Sequence, residues 1–181
     1  MSAKMLYYLH GYLSGPNSAK GKLLQEQLGA IPIEYNQGSP ENVKVDEALA
    51  LIAEALLNDP QPILIGSSFG GFLAAEATLQ SDLIKTIILL NPAIIPADVD
   101  TRALSGMPRC LLQRMQDRRL FGVKMKAKVF ILMGTRDEVI PSDWVLGFAK
   151  AQQATIRFLD DDHAFAGKIS LLPGIIREIL H

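Results

Sequence analysis

With 181 residues, 49% hydrophobic and 20% charged, the chain is long enough for one core of ordinary size and has the composition of a soluble globular protein. A net charge of −1 argues against nucleic acid as a partner, and the longest apolar run, around 86–90, is strand-sized and far short of a membrane span. The lone Cys110 has no internal disulfide partner and no signal-peptide core opens the chain, which together point to a cytoplasmic protein.

Apolar strand-sized runs then alternate with helix-sized amphipathic segments, the pattern of an α/β fold with a doubly wound parallel sheet. The first run predicts a strand over 4–10, ending on His10-Gly11-Tyr12. A helix over 18–28, a strand over 31–35 and a helix over 43–58 follow. The third strand, over 61–66, runs into Gly66-Ser67-Ser68-Phe69-Gly70, and a helix is predicted over 71–80. A Gly-x-Ser-x-Gly at a strand-to-helix turn is a nucleophile elbow. Side chains at Gly66 and Gly70 would collide with the neighbouring strand and helix, and Ser68 would be presented at a helix N-terminus that favours negative charge. The loop matches neither a phosphate-binding P-loop, which ends Gly-Lys-Ser/Thr, nor a Gly-x-Gly-x-x-Gly fingerprint.

A strand over 85–91 leads into the one interruption of the alternation, a helical stretch over 91–127 that is too long for a simple crossover. Eight basic residues, seven within it (Arg102, Arg109, Arg114, Arg118, Arg119, Lys124 and Lys126) and Lys128 at its border, stand against Asp98, Asp100 and Asp117. Loops after strand C-termini border the ligand site of an open α/β sheet, so this stretch is expected to form a lid. Its basic face is read either as a solvated surface or as an entrance tolerant of phosphate. Ile94, Ile95, Leu104, Leu111, Leu112 and Met115 are read either as the wall of an acyl pocket or as the lid's own packing face.

The fifth strand, over 128–134, is followed by Asp137, then a helix over 142–152, a strand over 155–160, the turn bearing His163, and a helix over 167–180. A serine hydroxyl needs a base. Of the three histidines, His181 is terminal and His10 closes the first strand, whereas His163 follows the last strand and can reach the elbow. Asp137 completes the chain order Ser, Asp, His and would orient the imidazole; Glu138 and Asp143 are weaker alternatives, and Asp160, Asp161 and Asp162 are too near His163 in sequence. Gly11 lets its loop approach the substrate, so the backbone N–H groups of Tyr12 and Phe69 are the expected oxyanion donors, with His10 supporting the loop. No cluster at metal-ligand spacing is present, and the chemistry calls for no cofactor.

Tyr7-Tyr8-Leu9-His10-Gly11-Tyr12 with Ser14-Gly15-Pro16, the stretch from Ile65 to Phe72, Leu90-Asn91-Pro92-Ala93 and the segment from Gly134 to Pro141 resemble the α/β-hydrolase superfamily, and within it the YqiA-like family of small bacterial esterases. The resemblance implies a trimmed fold that starts on the oxyanion-loop strand, with strand order 2-1-3-4-5-6. It also implies an esterase for simple acyl esters or CoA thioesters; a small-molecule substrate and a monomer or small homo-oligomer are expected. A binding protein on a hydrolase fold and an acyltransferase using the same residues are the alternatives.

Overall fold

The computed structural model describes residues 5–36 and 40–181. Its centre is one sheet of six parallel strands in the order β2-β1-β3-β4-β5-β6, with β1 at Leu6–Leu9, β2 at Ile31–Pro32, β3 at Ile63–Ser67, β4 at Thr86–Leu90, β5 at Lys128–Gly134 and β6 at Thr155–Leu159. The order is the one the family resemblance implied. Residue 4, the start of the predicted first strand, lies outside the described residues. The helices are α1 (Ala19–Leu28), α2 (Val45–Leu56), α3 (Phe69–Gln80), α4 (Arg109–Arg114), α5 (Arg119–Gly122), α6 (Ser142–Gln152) and α7 (Leu172–Leu180).

The central strands β1, β3 and β4 are almost wholly apolar because both faces of the sheet are covered there, whereas the edge strand β6 carries Thr155 and Arg157 and is largely exposed. The strands' side chains divide with a period of two. Tyr7, Leu9, Leu64, Ile87, Leu89, Val129 and Ile131 pack with α2, α3 and α6, whereas Leu6, Tyr8, Ile63, Ile65, Ile88, Leu90 and Leu132 pack with α1 and α7. β3 is paired with β1 on one side and β4 on the other, so the elbow turns out of the middle of the sheet.

Several elements are shorter than their patterns predict, and two of these have a proline at the change. β2 stops at Pro32, which has no N–H to give a ladder and suits only a sheet edge. The last helix does not begin at 167: a 3-10 turn over Ile169–Leu171 comes first, and Pro173 occupies the first turn of α7, where its missing N–H costs nothing.

Candidate active site

The elbow begins with backbone geometry. Ser68 sits between β3 and α3 at φ 54° and ψ −117°, a conformation that costs a residue with a side chain on the order of 1–3 kcal/mol. The turn is anchored by the Ser68 N–H, which donates to the Leu90 carbonyl at 2.9 Å, and by the Ser68 carbonyl, which accepts from Gly71 at 2.8 Å and Ala93 at 3.0 Å. A Cβ at Gly66 would lie 2.4 Å from the Gly70 carbonyl oxygen; one at Gly70 would lie 2.2 Å from that of Leu9 and 2.4 Å from that of His10. Both glycines are thus required by backbone contact, one inside the turn and one against β1.

Beyond β5 and β6, two loops converge on the serine. The His163 ring bridges them: Nδ1 lies 2.8 Å from Asp137 Oδ2 and Nε2 lies 3.1 Å from Ser68 Oγ. The Asp137 side chain is fully buried, and its other oxygen accepts the N–H groups of Val139 (2.8 Å) and Ile140 (2.9 Å). A carboxylate held by three donors has one orientation, and it presents the acceptor that keeps a proton on Nδ1 and a lone pair on Nε2.

The histidine loop is shaped by its aspartates. Asp161 is buried; its Oδ1 accepts from Asp162 and Gly167, and Asp162 Oδ1 accepts from Ala166. Burial alone would raise the Asp161 pKa, but the N–H groups of Asp162, Gly167 and Lys168 outweigh it and hold the carboxyl below its ordinary value. Gly134 lets this loop approach β5, since a Cβ there would lie 2.6 Å from the Asp161 carbonyl oxygen.

Asn91, a positioning residue that the sequence pattern did not single out, stands at φ 44° just after β4 and is fully buried. Its Oδ1 accepts from the Gly134 N–H at 2.7 Å, and its Nδ2 donates to the carbonyls of Asp162 at 3.2 Å and His163 at 2.9 Å. The only sequence signal was its place in Leu90-Asn91-Pro92-Ala93, immediately after a strand.

On the opposite side of Ser68, a Cβ at Gly11 would lie 3.5 Å from that of Ser68, so the loop after β1 passes directly over the serine. Gly11 and Tyr12 line the same cleft as Ser68 and His163, and Phe69, as the first residue of α3, has an N–H with no intrahelical acceptor. The Phe69 ring is buried and meets Tyr12 edge-on at 6.1 Å. His10 is also buried: it stacks on Tyr35 at 4.2 Å, and its Nδ1 lies 3.0 Å from the Gly11 carbonyl oxygen. Burial lowers its pKa, opposed by the Gly11 carbonyl and Glu34, so His10 is a neutral ring inside the loop.

The cleft has a volume of about 480 Å³ and is walled by Tyr12, Ser18, Lys20, Ala164 and Ile169 around Ser68 and His163. The expected lid does not line it. Ile94, Ile95, Leu111, Leu112 and Met115 are buried in the core cluster shared with α2, α3 and α6, and Leu104 packs against it. Several of the stretch's cations are matched as well. Arg114 pairs with Asp46 at 3.0 Å and reaches Glu76 at 3.8 Å; Arg119 pairs with Asp117 at 2.5 Å and Glu76 at 3.3 Å; Lys126 pairs with Asp82 at 2.5 Å. Apolar packing and ion pairing hold the stretch on that face of the sheet, away from the cleft wall. Among the described residues, no group of three or more His, Cys, Asp or Glu could hold a metal ion, and no helix is long and apolar enough to cross a membrane.

This open parallel sheet with an elbow serine at its centre is the α/β-hydrolase fold, and solved structures bear that out. Est1E from Butyrivibrio proteoclasticus with ferulic acid bound superposes with a TM-score of 0.81 at 19% identity, covering 98% of this chain and 88% of that one. Mouse alpha/beta hydrolase domain-containing protein 10 gives 0.77 at 18% identity (97% and 88% covered), and the monoacylglycerol lipase of Paleococcus ferrophilus gives 0.76 at 17% (97% and 93%). Within that superfamily, residues 5–177 match the uncharacterised protein family UPF0227, and the chain belongs to it.

Proposed function

We propose that the protein is a serine esterase that cleaves carboxylic esters, or the corresponding thioesters, through an acyl-serine intermediate. The observation that carries this reading is the continuous hydrogen-bonded chain from Asp137 through His163 to the Oγ of the strained Ser68. His163 Nε2 takes the Ser68 proton as Oγ attacks the ester carbonyl, and Asp137 stabilises the imidazolium that forms. The oxyanion is held by the backbone N–H groups of Tyr12 and Phe69, each contributing roughly 3–4 kcal/mol to the transition state. His163 then gives its proton to the departing alcohol, and water repeats the sequence to release the acid.

Two of the structural neighbours add support: one was solved with ferulic acid bound, and one is a monoacylglycerol lipase. A cytoplasmic location belongs to the same reading, in keeping with the exposed, unpaired Cys110. The test is fluorophosphonate labelling of the purified protein, with Ser68→Ala as control. One adduct per chain on Ser68 is expected. A folded protein that takes no adduct and turns over no ester would make this a binding protein on a hydrolase fold. An acid product that gives way to a new ester when alcohol is added would make it an acyltransferase.

A further inference from the structure

Lys20 is the second residue of α1 and lines the cleft beside Ser68 and His163. Among the described residues, no carboxylate lines that cleft, and no other side chain of fixed charge does. Its ammonium lies over the buried Phe165 ring, 6.0 Å from its centre.

Among the described residues no carboxylate oxygen lies within 4.0 Å of Lys20 Nζ, whereas surface lysines such as Lys44 and Lys126 have paired with Glu47 and Asp82. Asp162, Asp137 and Asp161 act on Lys20 through space, without an oxygen in ion-pair reach of its Nζ, and each already accepts hydrogen bonds from other groups. Asp137 is held by His163, Val139 and Ile140; Asp161 by Asp162 and Gly167; Asp162 by Ala166. Burial outweighs those acids and keeps the Lys20 pKa below the ordinary lysine value. A partly desolvated ammonium with no bonded partner is costly to keep, and its cost falls when an anion fills the cleft.

We propose that Lys20 is a specificity-determining residue whose ammonium binds an anionic group, carboxylate or phosphate, carried by the ester that Ser68 attacks. This rests on the esterase reading above. A lysine serves as a compact point charge that either group can meet from several directions, so the shared chemistry is a small anion within reach of the scissile bond.

The experiment compares matched substrates. p-Nitrophenyl hemiglutarate is set against p-nitrophenyl pentanoate, and 4-acetoxyphenyl phosphate against phenyl acetate, each with the wild type and Lys20→Met. The readout is the ratio of kcat/KM for the anionic ester over its neutral partner. In at least one pair that ratio is expected to fall about tenfold in the variant. A fall in the first pair assigns a carboxylate on the acyl side, and a fall in the second a phosphate on the alcohol side. Circular dichroism checks folding, and Lys20→Gln carries the comparison should the methionine variant misfold. Neutral esters turned over with both ratios unmoved overturn the role of Lys20 alone. No turnover and no fluorophosphonate adduct in the wild type bring down the esterase reading, and this inference with it.

Discussion

Asn91, just after β4, holds the backbone of His163 from two strands away: its Nδ2 donates to the His163 carbonyl at 2.9 Å while its Oδ1 holds the Gly134 N–H of the intervening β5 at 2.7 Å. The same side chain therefore joins the end of β5, which leads to Asp137, to the loop that carries the imidazole. Replacing Asn91 by Ala removes the side-chain acceptor of the buried Gly134 N–H and one donor from each of the part-buried carbonyls of Asp162 and His163, at about 2–3 kcal/mol of stability. It also frees the imidazole to drift, so kcat is expected to fall at least about tenfold with little change in KM. Urea denaturation and steady-state ester kinetics measure the two effects, and a full-strength kcat would show that the loop holds itself.

Asp137→Asn separates orientation from support. The amide oxygen can still accept from Val139 and Ile140, so the fold is expected to persist within about 1 kcal/mol. Its NH2 would face His163 Nδ1 and favour the wrong tautomer, at roughly 10⁴-fold in turnover. Ester hydrolysis beside a thermal melt tests this, and activity near wild type would reassign the acid.

Ser68→Gly trades function for stability. Glycine occupies a positive φ without the Cβ conflict, so the variant is expected to gain about 1 kcal/mol net of glycine's own entropy cost while losing all ester turnover. Chemical denaturation of the two proteins decides it. An unchanged midpoint would mean the turn stores no strain.

Glu76 gives a pH dependence away from the site. Burial, reinforced by neighbouring Asp117, pushes its pKa up to about 7 against the pull of Arg114 and Arg119. Between the ordinary carboxylate range and about 7 the folded chain holds a proton that the unfolded chain has released. This contribution to stability is complete at acid pH and lost as pH rises through about 7. Glu76→Gln is expected to remove a decline on the order of 1–2 kcal/mol between about pH 5 and about pH 8, read from melts at both values. Parallel pH profiles for the two proteins would exclude it.

What the sequence disclosed and what it withheld follow from the range of each constraint. Gly66 and Gly70 were legible because they meet backbone within a few residues or on the adjoining strand, and the apolar runs of β3, β4 and β5 because a doubly covered strand must be apolar. Asp137 and His163 could be named from strand ends and chain order, and the geometry brings both to Ser68. Asn91 was hidden because its partners lie 43 to 72 residues away. Lys20 was hidden because a lysine on a helix looks alike whether it faces water or a cleft. The 91–127 stretch misled for a related reason: its length pointed to a lid, but which face of the sheet it covers is set by apolar packing and by acids on α2 and α3.

The two halves of the site are not equally secured. Ser68 is bonded through its backbone to Leu90 and Ala93, and the turn it stands on is packed through Gly70 against the carbonyls of Leu9 and His10 in the middle of the sheet, so it cannot shift unless the strands part. His163 rides a surface loop tied to the rest of the fold by the Asn91 carboxamide, the Asp137 carboxylate and the Arg136 N–H, which donates to the Asp161 carbonyl. Warming should therefore release the base before the nucleophile. Catalytic failure would then be a reversible event at a hinge, complete while the sheet is still intact, and on cooling the protein would regain activity without having to refold.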